Sequence, residues 1–288
     1  MKVLILTRFA NEYEPKRLAS VGRAAGHLVD IVKYGKIGIQ VTDDGEVGID
    51  LGEGKNLADY DLIVPRSASK NGSSMVAIKT IILAEAKRLS IKIVNGESFA
   101  RYPLLGKTEQ GVMMAEAGLP VSPLVTFGSK RGWQIFEKSE PKFPLMVKGR
   151  FGSHGRTVQK VEDMTSLKEL VAKYKEGNVL LQPVLPIKVW YRSIVANGKY
   201  LGEMKHKQKE KYLSGTVATE SKLDDRDMGR LEEICLKAAA LFDCDYAGID
   251  VGYSEEKKDW IIFEVNRTAQ FKYFEKRTGV DVAFQLLG

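Results

Sequence analysis

Two apolar runs near the C-terminus, Ala247-Gly248-Ile249-Asp250-Val251 and Ile261-Ile262-Phe263-Glu264-Val265-Asn266, read as β-strands that each carry an acid in otherwise greasy surroundings. The polar stretch from Ser254 to Asp259 separates them, and Asp250 and Glu264 are equally far from Lys257 at its middle. A hairpin centred there sets the two carboxylates opposite each other. Alternation then gives Glu264 and Asn266 one face, and Phe263 and Val265 the other. Facing carboxylates repel, and one is driven toward neutrality unless a cation lies between them. Two carboxylates and an amide form an all-oxygen set suited to a hard cation such as magnesium, which works beside substrate phosphates. An edge hairpin with two solvated charges has the same pattern, so the rest of the chain must decide.

With 288 residues there is room for about two domains. No apolar run approaches the roughly 20 residues of a membrane span. The opening Val3-Leu4-Ile5-Leu6 is too short for a signal-peptide core and reaches Arg8 at once. A cytoplasmic protein without membrane association is expected. Cys235 and Cys244 fall in or at the end of one predicted helix, on roughly opposite sides, and read as buried apolar groups in a reducing compartment. The 44 basic and 37 acidic residues leave a net charge of +7, a moderate excess that could serve nucleic acid, an acidic protein or a polyphosphate. No zinc spacing or aromatic RNA-binding motif supports nucleic acid. The three histidines, His27, His154 and His206, are scattered and form no metal constellation.

The N-terminal third alternates strands and helices. Val3 to Leu6, His27 to Val32, Leu62 to Val64 and Ile91 to Val94 read as strands, with helices opened by Pro15 and spanning about Ser73 to Leu89. Alternating units of this kind predict a parallel sheet with helices on its faces, and ligands bind at the carboxyl ends of such strands. Arg8, Arg66 and Asn95 follow strands in that way, as ordinary loop polarity also would. No GxGxxG or GxxxxGK[ST] loop follows the first strand. Beyond Gly96 the spacing predicts a helix over Lys107 to Ala117 and strands at Val121 to Phe127, Pro144 to Lys148, Thr157 to Val161 and Val179 to Gln182. Ser166 and Glu169 suggest a capping box. Asn197-Gly198 marks a hairpin between Tyr191–Ala196 and Tyr200–Met204. A helix lined by Leu231, Ile234, Ala238 and Leu241 precedes the acidic hairpin, and short helices close the chain from Phe274.

Lys148 runs straight into a glycine-rich loop, Gly152-Ser153-His154-Gly155, with Arg156 behind it. Glycines let backbone N–H groups cradle a phosphate, although a mobile hairpin turn has the same composition. Lys107 begins a helix, where a solvated lysine is ordinary. Arg192 sits among apolar neighbours on a strand, and a buried arginine needs an anionic partner. Lys205, Lys207, Lys209 and Lys211 alternate, which suits one strand face, serving either phosphate contact or a basic edge that blocks aggregation.

In this order — a helical lysine, a lysine entering a glycine loop, a strand ending near Gln182, an arginine strand, a basic run, then Asp and Glu-x-Asn — the chain resembles the ATP-grasp superfamily, most of all its RimK-like branch of amino-acid and peptide ligases. The resemblance extends to Leu6-Thr7-Arg8, Gly26-His27-Leu28-Val29, Val64-Pro65-Arg66 and the closing Glu275-Lys276-Arg277-Thr278-Gly279-Val280-Asp281. It implies an α/β pre-ATP-grasp domain over residues 1–95, followed by an ATP-grasp fold of two α+β lobes, 96–187 and 188–288. It also implies an ATP-dependent carboxylate–amine ligase that forms an amide through an acyl phosphate. By the same resemblance Lys107, Lys148 and Lys205 serve the ATP phosphates, and Gly152, Ser153, His154 and Gly155 cover them. Gln182, the Pro183 carbonyl and the Leu185 N–H hold adenine. Asp250, Glu264 and Asn266 bind one or two magnesium ions, with manganese as a substitute. Arg192 and Lys211 take catalytic roles. The implied substrate is an amino acid, an acidic peptide or a carrier protein, and the implied assembly a homodimer or homotetramer. Arg267-Thr268-Ala269-Gln270 replaces the small and Ser/Thr-Pro-Gly residues usual after the metal-binding Asn, Trp190 and Tyr191 stand before the arginine, and Lys211 and Gly215 are the nearest analogues of an Arg-x-Asn and glycine pair. These departures leave a catalytically silent ATP-binding or regulatory protein as the alternative.

Overall fold

The computed structural model describes residues 1–68, 74–149, 158–174, 179–187, 189–207, 217–219, 225–254 and 256–288. The N-terminal unit runs β1 (Lys2–Thr7), α1 (Tyr13–Ala24), β2 (Leu28–Lys33), β3 (Gly38–Val41), β4 (Val47–Asp50), β5 (Leu62–Pro65), α2 (Ser74–Arg88) and β6 (Lys92–Ile93). Four of these strands form a parallel sheet in the order β2-β1-β5-β6. β1 is apolar on both faces because both are covered. Val3 and Ile5 pack with Leu18 and the C-terminal helices, while Leu4 and Leu6 pack with Ile82 and Ala86 of α2. The β3–β4 hairpin was not foreseen. Its signal was present in Ile39 and Val41 facing Val47 and Ile49 about Asp44-Gly45, with Gly45 at φ 83°.

α3 (Gly96–Arg101) and α4 (Lys107–Glu116) lead into a central sheet of β7 (Val125–Thr126), β8 (Leu145–Gly149), β9 (Val158–Val161) and β10 (Val179–Pro183), ordered β7-β10-β8-β9, with α5 (Lys130–Lys138) and α6 (Met164–Val171). Leu145, Val147, Val179 and Leu181 face Leu167 and Leu170 in one core, leaving Met146, Lys148 and Gln182 on the other face. The predicted strand over Val121 to Phe127 shrinks to Val125–Thr126, and Val121 instead makes an isolated parallel bridge to Ile262. The expected Ser166–Glu169 capping box is corrected as well. Asp163 is the N-cap and accepts from the Ser166 N–H at 2.8 Å, which places the serine inside the first turn.

The last unit comprises β11 (Val189–Ala196), β12 (Lys199–Lys207), β13 (Val217–Thr219), α7 (Asp225–Leu241), β14 (Tyr246–Ser254), β15 (Asp259–Asn266), α8 (Lys272–Thr278) and α9 (Val282–Leu287). Its sheet is antiparallel, in the order β13-β12-β11-β14-β15. One face is covered by α7, where Leu231, Ile234 and Ala238 meet Tyr191, Val195, Ala247, Ile249 and Val251. The alternate residues, including Arg192, Gly248, Asp250 and Gly252, occupy the opposite face.

That opposite face docks on the N-terminal unit, so Ile194, Ala196, Met204 and Tyr246 share a core with Val3, Ile5 and Val64. Asn95, left-handed at φ 61°, acts as a staple. Its N–H donates to Asp245, its amide nitrogen to the Tyr246 and Arg267 carbonyls, and its amide oxygen accepts from the Tyr246 N–H. Arg66 donates to the Ala269 carbonyl at 2.7 Å. Buried Glu14 accepts from the N–H groups of Phe271 and Lys272 at the start of α8. Arg66 and Asn95, which sequence reading set at strand ends as ligand candidates, thus join the first and last units.

Candidate active site

The acidic hairpin forms, but not by simple symmetry. Its turn pairs Ser254 with Asp259 and Gly252 with Ile261, a register that would set Asp250 against Phe263. A bulge between Asp250 and Val251 shifts the pairing by one residue, so Asp250 meets Glu264 and Gly248 meets Asn266. The expectation that Phe263 turns away with Val265 is corrected by the same bulge. Trp260, Ile262 and Val265 enter the α7 core, whereas Phe263 lies under Lys148, whose Nζ is 5.9 Å from the ring centroid. Gly252 makes this possible, since a Cβ there would stand 2.6 Å from both Phe263 Cζ and Ile187 Cγ2.

Arg192 pairs with Asp250 across β11–β14, and Asp250 with Glu264 across β14–β15, so the three side chains stand in a row. Arg192 grips Asp250 in bidentate fashion, Nε on Oδ1 and Nη2 on Oδ2 at 2.8 Å. Lys107, from the first turn of α4, forms an ion pair with Glu264. Lys148 approaches the same carboxylate from the central sheet. Burial, then the nearby Lys107, lower its pKa to about 8, with Glu264 opposing. Cations from two lobes therefore converge on acids carried by one strand pair.

One helical turn beyond Lys107, Gln110 was missed in the sequence. Its amide nitrogen donates to the Val265 carbonyl at 3.1 Å and its oxygen accepts from the Val265 N–H at 2.7 Å. This fixes the backbone between Glu264 and Asn266. The i, i+3 spacing of Lys107 and Gln110 was the available signal, because it puts both on one face of α4.

The other candidates are placed as follows. Asn266 shares the Glu264 face and, with Glu264, lines a cavity toward the N-terminal unit. Gln182 pairs with Met146, on the Lys148 side of the central sheet. Pro183 ends β10, and the Leu185 carbonyl accepts from the Ile187 N–H at 2.8 Å. Lys205 pairs with Tyr191 and so takes the α7 face of its sheet, away from Arg192 and Asp250. Met204 and His206 occupy the opposite face, paired with Arg192 and Trp190. His206 stacks on Trp190 at 4.0 Å between ring centroids, and burial, then Arg192, lower its pKa to about 4. Gly152, Ser153, His154, Gly155 and Lys211 lie outside the described residues. Among the described residues no group of three or more His, Cys, Asp or Glu forms a metal cage, and no helix is long and apolar enough to cross a membrane.

A parallel N-terminal sheet followed by two α+β lobes, with lysines of one lobe facing carboxylates of the other, defines an ATP-grasp ligase. The model of the RimK-like ATP-grasp domain matches residues 107–288, and that of the RimK pre-ATP-grasp domain matches residues 1–96. The chain belongs to the RimK-like ATP-grasp family, whose chemistry is ATP-dependent carboxylate–amine ligation. A probable alpha-L-glutamate ligase of Vibrio atlanticus is 25% identical over 98% of this chain and 93% of its own length. A ribosomal protein bS6–L-glutamate ligase of Escherichia fergusonii is 23% identical over 100% of this chain and 94% of its own. In fold, the macrocyclase MdnC of Microcystis aeruginosa, solved with its precursor peptide, superposes with a TM-score of 0.74 at 14% identity, covering 100% of this chain and 98% of that one. These ligase relatives do not favour the silent-binder alternative.

Proposed function

We propose that the cleft between the central and last sheets binds ATP with magnesium and joins a carboxylate of an amino acid or peptide to an amine. The observation that carries this reading is the row Arg192–Asp250–Glu264 met by Lys107 and Lys148. Opposed carboxylates beside an amide suit a hard cation, and magnesium would supply charge neutralisation on the triphosphate. Lys107 and Lys148 are placed to take phosphate oxygens, and Arg192 to steady Asp250 and offset negative charge developing at the acyl centre. The substrate carboxylate oxygen bonds to the γ-phosphorus as the bond to ADP breaks. The amine nitrogen then bonds to the acyl carbon as phosphate leaves, losing its proton. No side-chain nucleophile is required, and positioning with charge neutralisation suffices.

The glutamate-ligase names of the relatives and the net charge of +7 support an acidic amino acid or peptide as substrate. Sheet membership supports a division near residues 95 and 187. The free Cys235 and Cys244 support a reducing, cytoplasmic setting. A homodimer or homotetramer remains part of the proposal, and light scattering of the purified protein tests it. Magnesium and manganese are compared in the same assay. ADP formation is measured against a panel of amino acids and peptides. Amine-dependent turnover that Glu264→Gln abolishes is the expected result; none across a broad panel refutes ligation.

A further inference from the structure

Between α2, α3 and the end of β15 lies a cavity of about 860 Å³ that reaches Glu264 and Asn266. The four acids on its wall are already engaged. Glu264 pairs with Lys107, Glu97 with Lys87 and Asp243 with Arg101, and Asp245 accepts from the Asn95 N–H. Two half-buried cations on the same wall have no such match. Lys79 Nζ lies 3.3 Å from the centroid of the Phe99 ring, and Arg267 Cζ lies 4.4 Å from the same centroid. Arg267 also donates to the Ser98 carbonyl at 2.7 Å, but among the described residues neither cation has a carboxylate partner.

Two like charges sharing one aromatic ring repel, and each is partly withdrawn from water, so the arrangement costs stability unless an anion joins it. Burial, then the charges of Arg267 and Arg66, also hold the Lys79 pKa below its ordinary value. Glu264 and Asn266 line the same cavity as Lys79 and Arg267, so the positive pair shares it with the carboxylate–amide set where the acyl group would be activated.

We propose that Lys79 and Arg267 bind a second carboxylate of the acid substrate, one not being activated, with Phe99 as the floor of that subsite. The cavity then selects a dicarboxylic amino acid or a peptide carrying an acidic residue at its reacting end. This rests on the ligase reading above. Its test is a titration of the protein, saturated with ADP and magnesium, with L-glutamate, L-glutamine, and tripeptides ending in Glu or Gln. A charge-assisted hydrogen bond is strong enough to favour the acid over its amide by about tenfold or more. Wild type should show that preference, and whichever pair shows it, free or peptide-borne, identifies the source. Lys79→Met and Arg267→Met should each reduce it below about threefold with ADP affinity retained. Lys79→Met should also melt no lower than wild type, because an unmatched cation is removed; if Arg267→Met does not fold, Lys79→Met decides alone. No preference in wild type, or the same preference in the variants, overturns the proposal. Failure of wild type to bind ADP with magnesium overturns the ligase reading, and this one with it.

Discussion

Lys148 is held in the folded protein at a cost that pH exposes. Its ammonium has a pKa of about 8 against an ordinary 10.5, from burial first and Lys107 second. The folded pKa is depressed, so between pH 8 and 10.5 the unfolded chain binds a proton that the folded chain has lost. Stability therefore rises with pH through that window, at most about 1.4 kcal/mol per pH unit and about 3 kcal/mol in all. Below pH 8 the folded protein bears the full cost of the buried cation. Lys148→Met keeps most of the side chain's length and removes the charge. At pH 7 it should stabilise the free protein by about 1–3 kcal/mol, with the gain shrinking above pH 8 and gone near 10.5. With ADP and magnesium present the order should reverse, because only the lysine can pair with phosphate. Urea or thermal denaturation of both proteins from pH 6.5 to 10, with and without nucleotide, reads this directly. A variant that is less stable at pH 7, or a gap that does not change with pH, refutes the reasoning.

Three further perturbations follow from contacts already described. Gly252→Ala puts a methyl 2.6 Å from Ile187 Cγ2 and Phe263 Cζ, and should cost about 1–3 kcal/mol in denaturation while weakening ADP binding through Phe263 and Lys148. Arg192→Met strands Asp250, half-buried, without its bidentate partner; a loss of about 3 kcal/mol is expected, and Asp250→Asn in the same chain should recover part of it in the same melts. Asn95→Ala removes the amide joining β6 to Tyr246 and Arg267 and should cost about 2–4 kcal/mol, with amide exchange accelerating at Tyr246.

How far the sequence reached follows from the range of the forces involved. Period-2 and period-3.6 patterning located β1, β8, β10, β14, β15 and the α7 stripe, because burial of one face is a local demand that each segment must meet by itself. Asp250 and Glu264 were legible for the opposite reason: a charge in an apolar strand is anomalous wherever it occurs. The order of lysines, arginine and acids carried the family, and with it the chemistry. What could not be read was decided by contacts between segments distant in the chain. The bulge that turns Phe263 toward Lys148 depends on register, and a shift of one residue moves a side chain to the other face. Lys205 looked equivalent to any other alternating lysine until its pairing with Tyr191 set its face. Gln110, Asn95 and Arg66 are ordinary polar residues in sequence, and their importance lies in backbone groups more than 145 positions away. Lys79 became informative only when folding brought Arg267 to the same ring without a compensating acid. Composition and order thus determined which fold and which class of reaction this chain supports. Tertiary packing alone decided which charges are matched and which are not, since electrostatic pairing depends on distance through space.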